Sequence, residues 1–368
     1  MNNKIRKAHA KAWAFLIFHQ ILRYDYTTIV FLVFLRHNLK EKHLKKLHIP
    51  LLLFSFLGIG HTAYAQEDQQ TQLINDMLVI ADKFAAPGAE GAAIQSSAGW
   101  FSSASTLDKW KFEVSIHGNG LFVPSGKKNA LITNDRDIKL VNVQGSNNAL
   151  IPTVFGGDTD VVFEGSFGSI PFTFDAIDGL DKGMLIHPYP QVTVGLPYGT
   201  ELAVRYLPSV TVNDVGFSTY GAGLKHNFSQ YFERRFDPED FQFAVAATYS
   251  NFKVDYAFSQ LSIPSLLELN RIDVDADLWL FQVLGSKLYD SFEVFGGLGV
   301  TLSQFDYKMG GTGSALPLLN QELQGLHGNS TKFKGDIGFN YYFNNFKISS
   351  MFTASNFFNA NIGLHYRI

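Results

Sequence analysis

Phe333-Lys-Gly-Asp-Ile-Gly-Phe-Asn-Tyr-Tyr-Phe343 decides the fold. Every second residue from Phe333 is apolar, aromatic or glycine, and the neighbours are Lys334, Asp336, Gly338, Asn340 and Tyr342. A period of two puts each set on one face of a β-strand. Asn344-Asn345 then turns the chain into another such run, and the last residues set Ile362, Leu364, Tyr366 and Ile368 against Asn361, Gly363, His365 and Arg367. Earlier runs repeat the pattern at 111–123 and 241–250. These segments are about ten residues long, the length that crosses a bilayer when tilted. Their aromatic residues gather near strand ends, as in the interfacial girdles of membrane barrels.

The rest of the chain agrees. It has 34 Phe, 15 Tyr and 32 Gly in 368 residues, and no cysteine. Nothing after Gln66 is apolar for long enough to make a spanning helix. The expectation is therefore an all-β fold: a transmembrane antiparallel β-barrel of about 12–14 strands, with a short N-terminal helix and a plug or linker. Connections at 263–274 and 309–331 fall outside when strands are counted back from the C-terminus. In this register Phe339 faces lipid near mid-strand and Asn340 faces the lumen.

An export signal supports a membrane beyond the cytoplasm. Lys45-Lys46 precede the apolar run Ile49 to Ile59, and Ala63-Tyr64-Ala65 supplies a small-x-small cut before Gln66. Residues 1–44 contain no glycine, and no methionine lies between Met1 and Met77. They read as an upstream extension, with translation expected to begin near Leu39, Leu44 or Leu47. The expected divisions are 1–44 extension, 45–65 signal peptide, 66–105 periplasmic helix with plug or linker, and 106–368 barrel. In 67–84, Leu73, Met77, Ile80 and Phe84 recur at helical spacing. Residues 85–105 are rich in Gly, Ala and Ser.

Charge narrows the function. The chain carries 30 Lys or Arg and 33 Asp or Glu; 10 and 2 of these precede Gln66, which leaves a net near −11. That argues against nucleic acid, whose binders present a basic surface. No metal or redox motif is expected, and no cofactor. The histidines His187, His226, His327 and His365 sit in no nucleophile motif, and no G-x-S-x-G occurs, so an enzyme is the least favoured class. Alternation turns Glu113, Glu201, Arg205, Lys225, Asp336 and Arg367 inward as lumen-lining candidates. Leu266, Leu267, Leu318 and Leu319 lie in two apolar connections and read as outer-loop contacts.

The order of helix, small-residue run ending in Gly99-Trp100-Phe101, and first strand ending in Val123-Pro124 resembles an uncharacterised Gram-negative outer-membrane β-barrel family. PQVTVGLPYGTELAVRYLP, followed by GAGLKHNFSQ, resembles that family's core. The layout is more distantly similar to outer-membrane transporters of fatty acids and aromatic hydrocarbons. The final residue departs from the usual Phe: Ile368 ends the chain. The family carries no activity with it; the expectation of a passive channel for small apolar or amphipathic solutes rests on the plug reading and the two apolar connections. The alternative is a structural or adhesive barrel whose loops bind a partner. The implied partners are outer-membrane lipid, lipopolysaccharide and the barrel-assembly machinery.

Overall fold

The computed structural model describes residues 49–212, 215–232, 241–325 and 329–368. The upstream extension and the basic start of the signal segment lie outside these residues, as does His327. Ala65–Ile368 is one compact unit. Ten antiparallel strands close into a barrel in the order β1-β15-β14-β13-β12-β11-β10-β9-β8-β7. They are β1 (Phe112–Phe122), β7 (Met184–Leu196), β8 (Thr200–Val212), β9 (Val215–Asn227), β10 (Gln242–Ile263), β11 (Leu267–Tyr289), β12 (Phe292–Thr312), β13 (Ser330–Phe343), β14 (Phe346–Ala354) and β15 (Phe358–Arg367). No described helix is long and apolar enough to cross a membrane.

The count is ten, below the 12–14 expected. The five short strands from Asn129 to Asp175 (β2–β6) form two small separate sheets. None exceeds six residues, which is too short to cross. They sit in the long connection between β1 and β7. α2 (Leu316–Gly325), which follows β12, lies at that same end of the barrel. Tight turns such as 344–345 and 290–291 lie at the other end.

β10, β11 and β12 run to 22, 23 and 21 residues, twice what a membrane needs. Their alternation inverts partway along. Near the tight turns the outward residues are Phe243, Val245, Phe281, Val283 and Val294, and the inward ones include Ala244, Gln282 and Glu293. Further up, Lys253, Asp255, Asp277, Gln304, Asp306 and Lys308 point out, and Phe252, Tyr256, Ile272, Phe305 and Tyr307 point in. Apolar-out belongs in lipid and apolar-in belongs in water. The switch falls at Tyr249, Trp279 and Leu302. The Tyr249 and Trp279 rings lie 5.2 Å apart, and the Tyr249 hydroxyl donates to Asp277 at 2.5 Å. Trp279 to Tyr289 then covers about 25 Å of barrel height, one lipid-facing band.

The helix does not lie under the barrel at the tight-turn end. In α1 (Ile49–Ser97), Leu73, Ile74, Met77, Ile80 and Phe84 pack with the upper halves of β10–β12, the two small sheets and α2. The run of small residues after Phe84 is therefore helical as far as Ser97, with Pro87 inside it. Asp76 fastens the cap: its buried carboxylate accepts the N–H groups of Lys139, Leu140 and Val141 at 2.6–3.0 Å. Glu90 bridges Lys127 at 2.7 Å and Lys332 at 2.9 Å. Partial burial pushes the Glu90 carboxyl up, but its two lysine partners together outweigh that and hold it below the ordinary value. A lowered carboxyl stabilises above the unfolded-state value and loses that contribution as pH falls through the folded one. Amide exchange in α1 is expected to quicken as pH falls below the ordinary glutamate value, and Glu90→Gln is expected to remove that acid step.

The apolar connections are not exposed. Leu266, Leu267 and Leu319 are buried in the cap core and Leu318 packs against it. Most of 267–274 is strand rather than loop, because β11 carries its ladder up to Leu267.

Candidate functional site

Ser97 ends α1 inside the barrel, and the chain then descends the lumen to Trp110. Gly99 adopts φ +69, and a Cβ there would strike the Tyr189 hydroxyl and Asn361. The segment 98–106 therefore plugs the lower lumen. Trp100, Phe101 and Ala104 pack on the small inward residues Ala203, Ala244 and Ala246. A Cβ on Gly221 or Gly223 would come within about 3.0–3.1 Å of the Trp100 ring, so glycine makes room for it.

Inward polar side chains bind the plug's backbone. Lys225 Nζ donates to Ser103 O at 2.8 Å and Ser105 O at 2.5 Å, and pairs with Glu201 at 2.8 Å. Glu201 also accepts the Leu107 N–H. Lys334 donates to Ser97 O at 2.8 Å and pairs with Asp336 at 3.1 Å. Arg205 lies between two rings, 3.9 Å from the Trp100 centroid and 4.1 Å from that of Tyr189. It also donates to Gln191 Oε1 at 2.8 Å and Ser96 O at 3.3 Å.

Five of the six expected lumen residues face inward and are buried, and Arg367 is half-exposed at the rim. Glu201, Arg205 and Lys225 grip the plug, and Asp336 does so through Lys334. Among the described residues, the hydrogen bonds of Glu113 and Arg367 go to the wall rather than to the plug. Glu113 instead joins Lys347, His365 and Arg367 at 2.7–2.8 Å within the wall. Sequence reasoning missed Glu293, which accepts from Ser103, Asn340 and Tyr342 at 2.5–2.7 Å. Its position just after a turn disguised it as a solvent charge. Asn340 does face inward, yet it is fully buried against Ser102 O rather than bordering open lumen.

One arrangement has catalytic geometry. Ser349 Oγ lies 2.8 Å from His365 Nε2, and His365 Nδ1 lies 2.7 Å from Glu113 Oε1. This is the connectivity of a Ser-His-carboxylate relay. The Ser349 hydroxyl, however, is buried in the wall, and two cations hold the carboxylate. The arrangement serves the wall as a hydrogen-bonded brace across β14, β15 and β1.

Above the plug lies an apolar cavity of about 420 Å³. It is bounded by α1 at Phe84, Gly88 and Ala92, by inward Phe217, Phe252 and Tyr256, and by the upper end of β7. His187 sits in its wall, 4% exposed, with rings of Tyr189, Phe217 and Phe252 at 5.3–5.8 Å. Neither of its ring nitrogens has a hydrogen-bond partner. Lys182 is exposed at the cavity's edge. Below the plug is a polar cavity of about 300 Å³, bordered by Glu113, Glu201, Glu293 and Arg367. A concavity of about 920 Å³ lies by Leu224, Val245, Phe281 and Leu298, on the outward apolar face, where lipid packs.

These features define an outer-membrane-type β-barrel with an internal plug. The chain belongs, over residues 44–368, to a family of unknown function (DUF6588). No curated protein matches it. Among solved structures it is similar to the translocator domain of the autotransporter NalP from Neisseria meningitidis, at 11% identity, covering 79% of this chain and 99% of that one, with TM-score 0.32. It is also similar to a Pseudomonas aeruginosa FadL homologue, at 10% identity, 68% and 61% coverage and TM-score 0.32. The outer membrane protease OmpT from Escherichia coli is similar at 9% identity, 72% and 100% coverage and TM-score 0.33. Barrel architecture is what they share with this chain.

Proposed function

We propose that this barrel resides in the outer membrane, is exported by the segment cut before Gln66, and is a passive carrier of small amphipathic solutes. The observation that carries this reading is His187: a polar ring with two unpaired nitrogens in the wall of an otherwise apolar cavity. An unsatisfied buried polar group costs about 1–3 kcal/mol. A ligand with an apolar body and one hydrogen-bonding head relieves that cost. The plug below the cavity supports gated rather than open passage. The tight-turn end then faces the periplasm and the cap faces outward, where lipopolysaccharide is the neighbour. The two apolar connections expected to serve a solute channel are buried in the cap and lend that reading nothing, so the plug and the cavity support it instead. The buried Ser349 supports a non-enzymatic reading, and a fluorophosphonate is expected to leave it unlabelled.

The test is competition for bound parinaric acid in nanodiscs. Octanol is expected to displace it about tenfold better than octane does, after correction for partition into lipid. His187→Phe is expected to erase that preference while octane still competes. Equal competition by both in the natural protein would sink the reading.

A further inference from the structure

We infer that the barrel wall is built to part between β7 and β8, so that a solute in the apolar cavity passes sideways into the bilayer. The inference rests on the proposed solute cavity and adds its exit.

β7 pairs with β1 along its length, from Met184 to Val194. With β8 it pairs only from Gln191–Arg205 down to Leu196–Thr200. Above Gln191 no ladder joins them, although β7 is strand from Met184 and β8 as far as Val212. The cause can be read from the backbone. Gly183 O and Gly195 N and O bond towards the β1 side, so odd-numbered residues of β7 point to β1 and even-numbered ones to β8. Gly199 O, in turn, bonds to Asn227 N, which aims odd residues of β8 at β9 and even ones at β7. Continued upward, the register would set Pro190 opposite Tyr206 and Pro188 opposite Pro208. Proline has no N–H. At the first of these positions one donor is missing, and at the second both are. The ladder cannot be zipped there, and β8 shifts register between Leu207 and Val210 against β9.

Height places the gap in lipid. Six paired residues of β7 cover about 15 Å of a band about 25 Å tall, leaving the outer 10 Å or so unzipped. Free N–H groups in hydrocarbon cost several kcal/mol each. Prolines at the edge remove donors that would otherwise be stranded, so parting is tolerated. The cavity reaches the β7 edge of this gap. It is bordered by inward Leu185 and His187 and also by Met184 and Ile186, which lie on the outward face of β7 at the upper edge of that band. A cavity enclosed by an intact wall touches inward residues alone.

The chain has no cysteine, so Pro188→Cys with Pro208→Cys can be bridged selectively by a short bis-maleimide. In nanodiscs containing nitroxide-labelled lipid, the release of bound parinaric acid into the bilayer is followed by quenching. The bridged form is expected to release ligand about tenfold more slowly than the natural protein, which keeps its prolines, and to bind it equally at equilibrium. Release from the bridged form as fast as from the natural protein overturns the lateral exit. If parinaric acid binds neither form nor the natural protein, it is the cavity reading that fails. A second measurement needs no variant: nitroxides placed mid-chain are expected to quench ligand while it is still bound to the natural barrel. Absence of that quenching also overturns the exit.

Discussion

Arg205→Ala is expected to turn a closed barrel into a conducting one. The guanidinium is stacked between Trp100 of the plug and Tyr189 of the wall and spans from Gln191 to the Ser96 carbonyl. Two terms oppose each other. Removing a buried cation relieves its desolvation, and the described residues give Arg205 no carboxylate to offset that cost. Against this, a desolvated cation–π contact is worth about 2 kcal/mol, and two are lost. Alanine also strands two acceptors at about 1–3 kcal/mol each and leaves an unfilled slot between the rings. The losses win, by roughly 4 kcal/mol of plug docking. The ladders of the wall are untouched, so the variant should keep its heat-modifiable migration on unboiled gels while conductance in planar bilayers rises. Arg205→Lys should resemble Ala, because an ammonium lacks the planar face that stacks on both rings. A silent bilayer with Arg205→Ala would show that the plug is held elsewhere.

Deleting the whole segment 66–105 is a poorer test. A plug that merely occludes the lumen could be removed from a folded barrel, which the sequence alone encourages. Here the same segment supplies Leu73, Ile74, Met77, Ile80 and Phe84 to the cap core, so the deletion removes structure together with the plug.

The wall was legible where a single environment holds along a strand. β13 to β15 read as alternating from end to end, and the inward facing of Glu201, Arg205, Lys225 and Asp336 followed from period two alone. The strand count was not legible, because β2 to β6 have the same β-prone composition as crossing strands and differ only in length. β10 to β12 misled in the opposite way. Once the apolar face changes side, Asp273 to Asp277 look like the edge of a loop, although the ladder is continuous. The end of the barrel at which α1 packs was hidden too. Nothing in an amphipathic stripe says whether its partner is the underside of a barrel or the inward aromatic residues of three distant strands. The His187 site needed the fold: its partners come from β9 and β10, and no spacing in the chain announces them.

A depth series on β13 tests the wall itself. Ile337, Phe339 and Tyr341 all face outward, with 63%, 42% and 51% of their surface exposed. Phe339 is not at mid-strand height in the lipid band. It stacks on Phe292, at the start of β12, with centroids 5.6 Å apart. Tyr341 stacks on Phe343, and Phe343 on Phe346, which places all of these in the lower aromatic girdle. Ile337 lies above that girdle. Ile337→Arg is therefore expected to cost about 2–4 kcal/mol and Tyr341→Arg about 0–1, with Phe339→Arg between them because its side chain can snorkel to the interface. The inward neighbour behaves differently. Asn340 is gripped by Ser102 O and Glu293, so Asn340→Arg brings a longer charged chain into a filled space beside the plug. It should abolish plug docking and raise conductance rather than be tolerated as a lumen substitution. Unfolding in lipid vesicles gives the three outward values, and bilayer recordings give the inward one. A flat series from Ile337 to Tyr341 would mean that the lipid band does not cross β13 at this height.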